Sequence, residues 1–226
     1  MHIGILQCGH FPKAEGFRDQ TYGDLYEEFL SGRGLTFTTW SVVDMDFPDS
    51  IRDAEGWLVS GSKHGAYDDV PFIRPLEDFL RAAYAADVPV VGICFGHQIL
   101  AQALGGRVEK HSGGWALGRQ NYAFADDDLA LNAWHQDQVI EPPADATTIG
   151  ANDFCSHAAF SYKGRAFSVQ GHPEFSDRHV ELLLKVRRAA LTPDQAKVVQ
   201  DNLGKPLSNA LLADHIAQFF KESVNV

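Results

Sequence analysis

One cysteine stands between two glycines in the segment GICFG, residues 92–96, where an apolar run gives way to a helical pattern. Residues 88–93 read VPVVGI, which is typical of a short strand buried on both faces. From residue 96 onwards, apolar side chains recur at the spacing of one helical face. The sequence therefore predicts that Cys94 occupies a strand-to-helix corner, where Gly92 and Gly96 avoid crowding the turn.

A sulfur at such a corner is suited to nucleophilic attack. The N-terminus of the following helix points at it, and the free N–H groups and the helix dipole there favour a thiolate. The N–H of Phe95 is directed at the same place, so it is a candidate donor for an oxyanion. A buried structural cysteine in an ordinary turn is the alternative. The flanking glycines favour the nucleophile.

A base and its orienting group are offered by SVQGHPEF, residues 168–175. His172 and Glu174 lie two residues apart, and in an extended chain such residues project from the same face. Pro173 disfavours a helical conformation at His172, so the pair is expected to stay extended. Glu174 is then predicted to hold the imidazole in one tautomer and leave its other nitrogen for Cys94.

The loop SGSKHGAYDD, residues 60–69, follows a predicted strand and supplies a candidate for the second oxyanion donor. Gly61 allows the backbone to approach a substrate closely there. The remaining histidines have no metal-ligand spacing, and the three cysteines contain no Cys-x-x-Cys pair. We therefore expect no metal, no cofactor and no disulfide framework, and an odd cysteine count favours a reducing compartment.

The elements that must position these residues alternate along the first half of the chain. Strands that alternate with helices at this spacing imply right-handed crossovers and a largely parallel sheet, with ligands at the C-terminal ends of the strands. Apolar runs predict strands at residues 2–7, 35–43, 56–60 and 88–93, and helical periodicity predicts helices at 22–30, 73–86 and 96–104.

After residue 106 the pattern predicts a smaller antiparallel extension and then C-terminal helices. No repeat or linker divides the chain, so we expect a single α/β domain over residues 1–226, with helices flanking its central sheet. The expected strands are RVEK, GRQNYAFA, TTIGAN, AAFSY and RAFSVQGHPEF, and helix starts are predicted at Ser176 and at Thr192 with Gln195. The last helix is predicted to bury Leu211, Leu212, Ile216, Phe219 and Phe220.

Composition restricts the partners. The chain has 226 residues, 45% of them hydrophobic and 22% charged, with a net charge of −11, so nucleic acid and an anionic membrane surface are not expected partners. The N-terminus has no basic, apolar leader, and no window is long enough to span a bilayer. These features predict a cytoplasmic protein that acts on a small molecule.

Four motifs carry a resemblance to a known family: SGSKHGAYDD, GICFGHQ, WHQDQV and GHPEF, in this order. Together they resemble class I, triad-type glutamine amidotransferases over the region from the first strand to Phe175. The resemblance implies that Cys94 attacks the side-chain amide of glutamine, that ammonia leaves a γ-glutamyl thioester, and that water releases glutamate. It implies that His172 is the acid and base and that Glu174 orients it.

The same resemblance implies where the substrate binds. Gln98 would contact the amino-acid end of the substrate, and the backbone around Trp134, Gln136 and Asp137 would line the same pocket. No glycine-rich phosphate loop with a lysine is present, so ammonia has no visible acceptor within the sequence, and a synthetase partner in trans stays open. The pattern is similar to the freestanding branch of the family, which includes γ-glutamyl peptidases, and residues 63–69 and 111–115 would form the rim beside the leaving group.

Other classes of protein remain as alternatives. An elbow with cysteine also fits a dienelactone-hydrolase-like enzyme, in which the acid precedes the histidine, whereas here Glu174 follows His172. A DJ-1-like protein would have histidine directly after the cysteine, where Phe95 stands. A non-catalytic regulatory subunit is disfavoured because the cysteine, histidine and glutamate are all present.

Overall fold

The computed structural model describes residues 1–14, 16–17, 20–124 and 127–223. In its first half, short apolar strands alternate with helices that each carry one apolar stripe. The strands are β1 (His2–Leu6), β2 (Thr36–Trp40), β3 (Gly56–Val59), β4 (Val90–Ile93), β5 (Arg107–Lys110), β6 (Ala116–Phe124), β7 (Asp128–His135), β8 (Asp137–Glu141), β9 (Thr147–Ala151), β10 (Ala159–Tyr162) and β11 (Ala166–Val169). The helices are α1 (Tyr22–Phe29), α2 (Ile73–Ala85), α3 (Phe95–Ala103), α4 (Asp177–Arg187), α5 (Pro193–Asn202) and α6 (Asn209–Glu222).

Nine strands form one mixed sheet in the order β2-β1-β3-β4-β11-β10-β9-β6-β7. The first five of these run parallel to their neighbours, which confirms the predicted parallel centre. The last four pair antiparallel and continue the same sheet beyond β11, while β5 and β8 form a separate antiparallel pair. The pairing in the sheet therefore changes from parallel to antiparallel at β11, which lies next to β4, the strand that leads into the cysteine corner.

Helices cover both faces of the parallel strands. Leu58 of β3 belongs to the apolar cluster that includes side chains of α1 and α6. Its neighbour Val59 belongs to the cluster on the other face, with side chains of α2 and α3. This alternation follows from the two-residue period of a strand, and it confirms the predicted α/β architecture with flanking helices.

Strands β7 and β8 are not predicted from the sequence. Residues 129–133 of β7 are all buried, so the strand lacks the alternation of apolar and polar residues that marks a half-exposed strand. The strand predicted at 35–43 is shorter in the structure, because β2 ends at Trp40 and a 3₁₀ turn, Val42–Asp44, follows.

The predicted starts of α4 and α5 are confirmed. Thr192 accepts a hydrogen bond from the N–H of Gln195 (3.2 Å), and the side chain of Gln195 accepts one from the N–H of Thr192 (2.9 Å). At the start of α4, the N–H of Ser176 donates to Nδ1 of His179 (3.1 Å). Hydrogen bonds therefore satisfy backbone N–H groups at the start of each helix. Helices α4 and α5 pack on the antiparallel end of the sheet through a small apolar cluster.

Helix α6 buries Leu212, Ile216 and Phe220, as predicted. The prediction for Leu211 is wrong, because its side chain is 53% exposed on the far side of the helix. Among the described residues, no helix is long and apolar enough to cross a membrane.

Candidate active site

Cys94 lies between β4 and α3 with φ 55° and ψ −105°, a backbone conformation that residues with a side chain rarely adopt. A Cβ atom on Gly92 would lie 2.4 Å from the carbonyl oxygen of Gly96, and one on Gly96 would lie 2.2 Å from that of Val59. Both glycines are therefore required by the close approach of backbone segments, and the structure has the predicted corner.

The parallel pairing of β4 with β11 brings His172 to this corner. The N–H of Cys94 donates to the carbonyl oxygen of Val169 at 2.9 Å, and His172 follows three residues later. Its own N–H donates to the carbonyl oxygen of Asn132 at 2.7 Å, which ties the segment to β7. Nδ1 of His172 lies 2.7 Å from Oε1 of Glu174, and both side chains are buried. The structure thus brings together the predicted pair.

The charge of His172 depends on its two neighbours. Burial lowers the pKa of this imidazole, but the charges of Cys94 and Glu174 and hydrogen bonding with both outweigh that effect and raise the pKa to about 10. Both contacts therefore favour the protonated form of the ring. With Nδ1 donating to Glu174, the other ring nitrogen is left for the sulfur.

Glu174 has a second donor that the sequence did not reveal. The hydroxyl of Tyr26, a fully buried residue of α1, donates to Oε1 of Glu174 at 3.1 Å, the same oxygen that His172 contacts. The Tyr26 hydroxyl also accepts a hydrogen bond from the N–H of Gly61 at 3.4 Å. A series of hydrogen bonds from Gly61 through Tyr26 and Glu174 therefore links the loop after β3 to His172.

The two predicted oxyanion donors differ in their surroundings. Phe95 is the first residue of α3, so its N–H has no partner within the helix. The N–H of Gly61 is already directed to Tyr26. A Cβ on Gly61 would lie 3.0 Å from the ring of His172, which shows how closely this loop approaches the base. Phe95 is the freer of the two donors.

The residues expected to hold the substrate line one cleft with Cys94. The Gln98 amide nitrogen donates to the carbonyl oxygen of Asp137 (2.8 Å) and to Oε1 of Gln170 (3.1 Å), so its side chain is fixed. Gln98 is buried, and both of these hydrogen bonds use its amide nitrogen rather than Oε1. That oxygen is available to accept a hydrogen bond from a ligand.

Asp137, Trp134 and Gln136 lie at the β7–β8 turn on the other wall of the cleft. Burial raises the pKa of the Asp137 carboxyl, while a hydrogen bond from Tyr67 opposes the rise. The amide of Gln136 donates to the carbonyl oxygen of His111 at 3.5 Å. The cleft measures about 370 Å³. Its lining also includes Phe11, Tyr22, Lys63, Asp68, Lys110, Trp115, His172, Phe175, Leu183 and Arg187.

Two further buried histidines are neutral. Burial lowers the pKa of His135 and of His97 to about 3. Within the described residues, no three His, Cys, Asp or Glu side chains are placed to hold a metal ion. Cys8 and Cys155 are buried free thiols, and burial raises the pKa of Cys155 to about 12 and that of Cys8 still further. Cys94 is thus the cysteine with a base beside it.

A cysteine at a strand-to-helix corner, with a histidine and a glutamate just beyond the end of the neighbouring strand, is the arrangement on which the predicted enzyme class depends. The sequence pattern of the class I glutamine amidotransferase domain matches residues 26–183. The chain belongs to this family, and it is a glutamine amidotransferase-like enzyme.

Its similarity to particular proteins extends over most of the chain. It is 31% identical to γ-glutamyl peptidase 3 of Arabidopsis thaliana over 180 residues, 71% of this chain and 72% of the relative. It is 38% identical to the glutamine-hydrolysing GMP synthase of Vibrio cholerae over 145 residues, 60% of this chain but 27% of that protein. The crystal structure of a glutamine amidotransferase from Methylobacillus flagellatus shares the fold, with a TM-score of 0.80 and 23% identity over 98% of this chain and 94% of that one.

Proposed function

We propose that this chain hydrolyses γ-glutamyl amide bonds through a γ-glutamyl thioester on Cys94. The observation that carries the proposal is the contact set at the corner, where the side chain of His172 hydrogen-bonds with Cys94 and its Nδ1 lies 2.7 Å from Oε1 of Glu174. A cysteine and a histidine placed in this way can form a thiolate–imidazolium ion pair, which supplies both a strong nucleophile and an acid for the departing amine.

The steps follow from these groups. The Cys94 thiolate attacks the γ-carbonyl carbon, and the N–H of Phe95 stabilises the oxyanion. His172 gives its proton to the nitrogen as the C–N bond breaks, which leaves the thioester and a neutral base. Water then loses a proton to His172 and attacks the thioester, which releases glutamate and restores the ion pair. Gln98 and the backbone near Asp137 hold the α-amino and α-carboxylate end.

Two substrate classes fit this chemistry. Glutamine is the first, with ammonia passed to a synthetase partner in trans or lost to water. A larger γ-glutamyl compound, such as a glutathione-like conjugate, is the alternative. A cleft of about 370 Å³ supports it, because pockets of roughly 300–1,000 Å³ hold ligands larger than one amino acid. A related plant protein carries the name γ-glutamyl peptidase. A non-catalytic role is disfavoured, because such a role does not require a base beside Cys94.

The thioester itself is the sharpest test. Purified protein is mixed with glutamine or a γ-glutamyl peptide, quenched in acid and analysed by intact and peptide mass spectrometry. We expect a γ-glutamyl adduct on the peptide that contains Cys94, and no adduct or hydrolysis in Cys94→Ala. Cys155→Ala is the matched control and keeps both, because Cys155 is a buried thiol outside the cleft. Hydrolysis at the wild-type rate by folded Cys94→Ala would reject the proposal.

A further inference from the structure

Three cationic side chains, those of Lys63, Lys110 and Arg187, line the cleft. None of them takes part in the ion pairs found among the described residues. Arg33, Arg81, Arg107 and Arg165 do form ion pairs, for example Arg33 with Asp214 at 2.8 Å. Lys63 lies in the loop after β3, Lys110 is the last residue of β5 and Arg187 is the last residue of α4.

The anionic side chains of the cleft, by contrast, already have partners. Asp68 accepts a hydrogen bond from the N–H of Gly65 at 2.9 Å and lies 3.7 Å from Nδ1 of His64. Asp137 accepts one from the hydroxyl of Tyr67, and Lys110 acts on it only through its charge. The lining of the cleft thus includes three cationic side chains and two carboxylates, in a chain whose net charge is −11.

The γ-glutamyl group cannot account for this positive excess. Its α-ammonium and α-carboxylate cancel, so the excess is left facing the other half of the substrate, the departing amine. We infer that the cleft has a subsite for an anionic leaving group, namely an amine that carries a carboxylate, and that Lys63, Lys110 and Arg187 form it. This inference rests on the proposed function, since it names the substrate class of the same site.

The reaction balance is that of amide hydrolysis. The γ-carbonyl C–N bond breaks as the C–S bond to Cys94 forms, and the proton of His172 goes to the departing nitrogen. The carboxylate of the leaving amine takes no part in the bonds that change. Its contribution is binding, so it raises kcat/KM without a change in the chemistry at the sulfur. A polyamine, whose second amino group is cationic, would be repelled by the same side chains.

The test compares leaving groups of nearly equal size and different charge. The probes are γ-glutamylglycine, γ-glutamylglycinamide and γ-glutamylethylenediamine, which present an anionic, a neutral and a cationic leaving group. We expect kcat/KM to fall in that order, with the anion favoured over the neutral amide by about fivefold, as two to three exposed ion pairs would give. The preference should shrink in concentrated salt, because exposed charges are screened.

Variants assign the preference to the three side chains. The triple substitution Lys63→Gln, Lys110→Gln, Arg187→Gln is expected to bring the ratio of kcat/KM for γ-glutamylglycine and γ-glutamylglycinamide close to one. Lys185→Gln is the matched control: Lys185 is an exposed lysine of α4, as Arg187 is an exposed arginine, but it lies outside the cleft. That variant should keep the wild-type ratio.

The outcomes distinguish failure of the anionic subsite from failure of the proposed function. Turnover of all three probes with a ratio near or below one in the wild type would overturn the subsite and leave the proposed function standing. A wild-type preference that survives the triple substitution would overturn the assignment to these residues. No turnover of glutamine or of any γ-glutamyl probe would overturn the proposed function, and the subsite with it.

Discussion

In the proposed mechanism, His172 transfers the proton and Glu174 holds the imidazole in the correct orientation. His172→Ala removes the proton donor and is expected to lower kcat by roughly 10³-fold or more, whereas Glu174→Ala leaves a misplaced base and should cost less. The measurement is glutamate release under saturating substrate, with circular dichroism to confirm folding. Small and equal losses in the two variants would mean that another group is the base.

The pH dependence follows from the sign of the shift at His172. Its pKa is raised to about 10, so the ring loses its proton as the pH rises through that value, and activity that needs the protonated ring is lost with it. Glu174→Gln removes one of the charges that raise this pKa. The basic limb of the kcat/KM profile should therefore move to lower pH in the variant. An unchanged limb would show that a different group controls it.

Tyr26 is a positioning residue, because it touches Glu174 and Gly61 but not the reacting atoms. Without its hydroxyl, Glu174 loses a donor and the N–H of Gly61 loses its acceptor. Tyr26→Phe should lower kcat by about tenfold and leave KM within about twofold, since a hydrogen bond to a charged group contributes about 1.5–3 kcal/mol and only part of that reaches the transition state.

Tyr122→Phe is the control for Tyr26→Phe. Tyr122 is equally buried, and its hydroxyl has no hydrogen-bond partner in the described part of the chain. Its removal takes away no interaction that the base depends on, so kcat should stay at the wild-type value. Equal losses in the two tyrosine variants would point to a packing effect rather than to the orientation of Glu174.

At the scale of elements, the corner depends on how tightly α3 packs against β3. A methyl group on Gly96 would lie 2.2 Å from the backbone oxygen of Val59. Val59 belongs to a buried strand, so moving its backbone away would disrupt the packing of the core. Gly96→Ala should lower the free energy of unfolding by roughly 2 kcal/mol or more and also reduce kcat, because α3 must shift. Urea unfolding and steady-state kinetics on one preparation check both effects, and a wild-type urea midpoint would contradict the prediction.

The sequence predicts those parts of the site that are local in the chain. The corner at Cys94 is encoded within five residues, and His172 with Glu174 within three, so spacing and residue type suffice. Tyr26 is different, since it lies 148 residues from Glu174 and its spacing in α1 equals that of an ordinary core residue. The pairing of β11 with β4 and the meeting of three cations at the cleft also depend on long-range contacts, which no local pattern contains.

On the scale of the whole molecule, the sheet changes from parallel to antiparallel pairing at β11, which ends three residues before His172. Five parallel strands hold the cysteine corner, and four antiparallel strands extend from the other side of β11. His172 is fixed from both parts, through β4 on one side and through Asn132 of β7 on the other. The position of His172 therefore depends on contacts with both the parallel and the antiparallel part of the sheet.

This placement of β11 has a consequence for the order of folding. Six strands, β5 to β10, separate it from its partner β4 along the chain, so their pairing is a long-range contact that costs more loop-closure entropy than the pairing of neighbours. Until that contact forms, Cys94 has neither His172 nor Glu174 nearby, and the groups expected to activate its sulfur are absent. We therefore expect any enhanced reactivity of Cys94 towards alkylating agents to arise only once β11 has paired with β4.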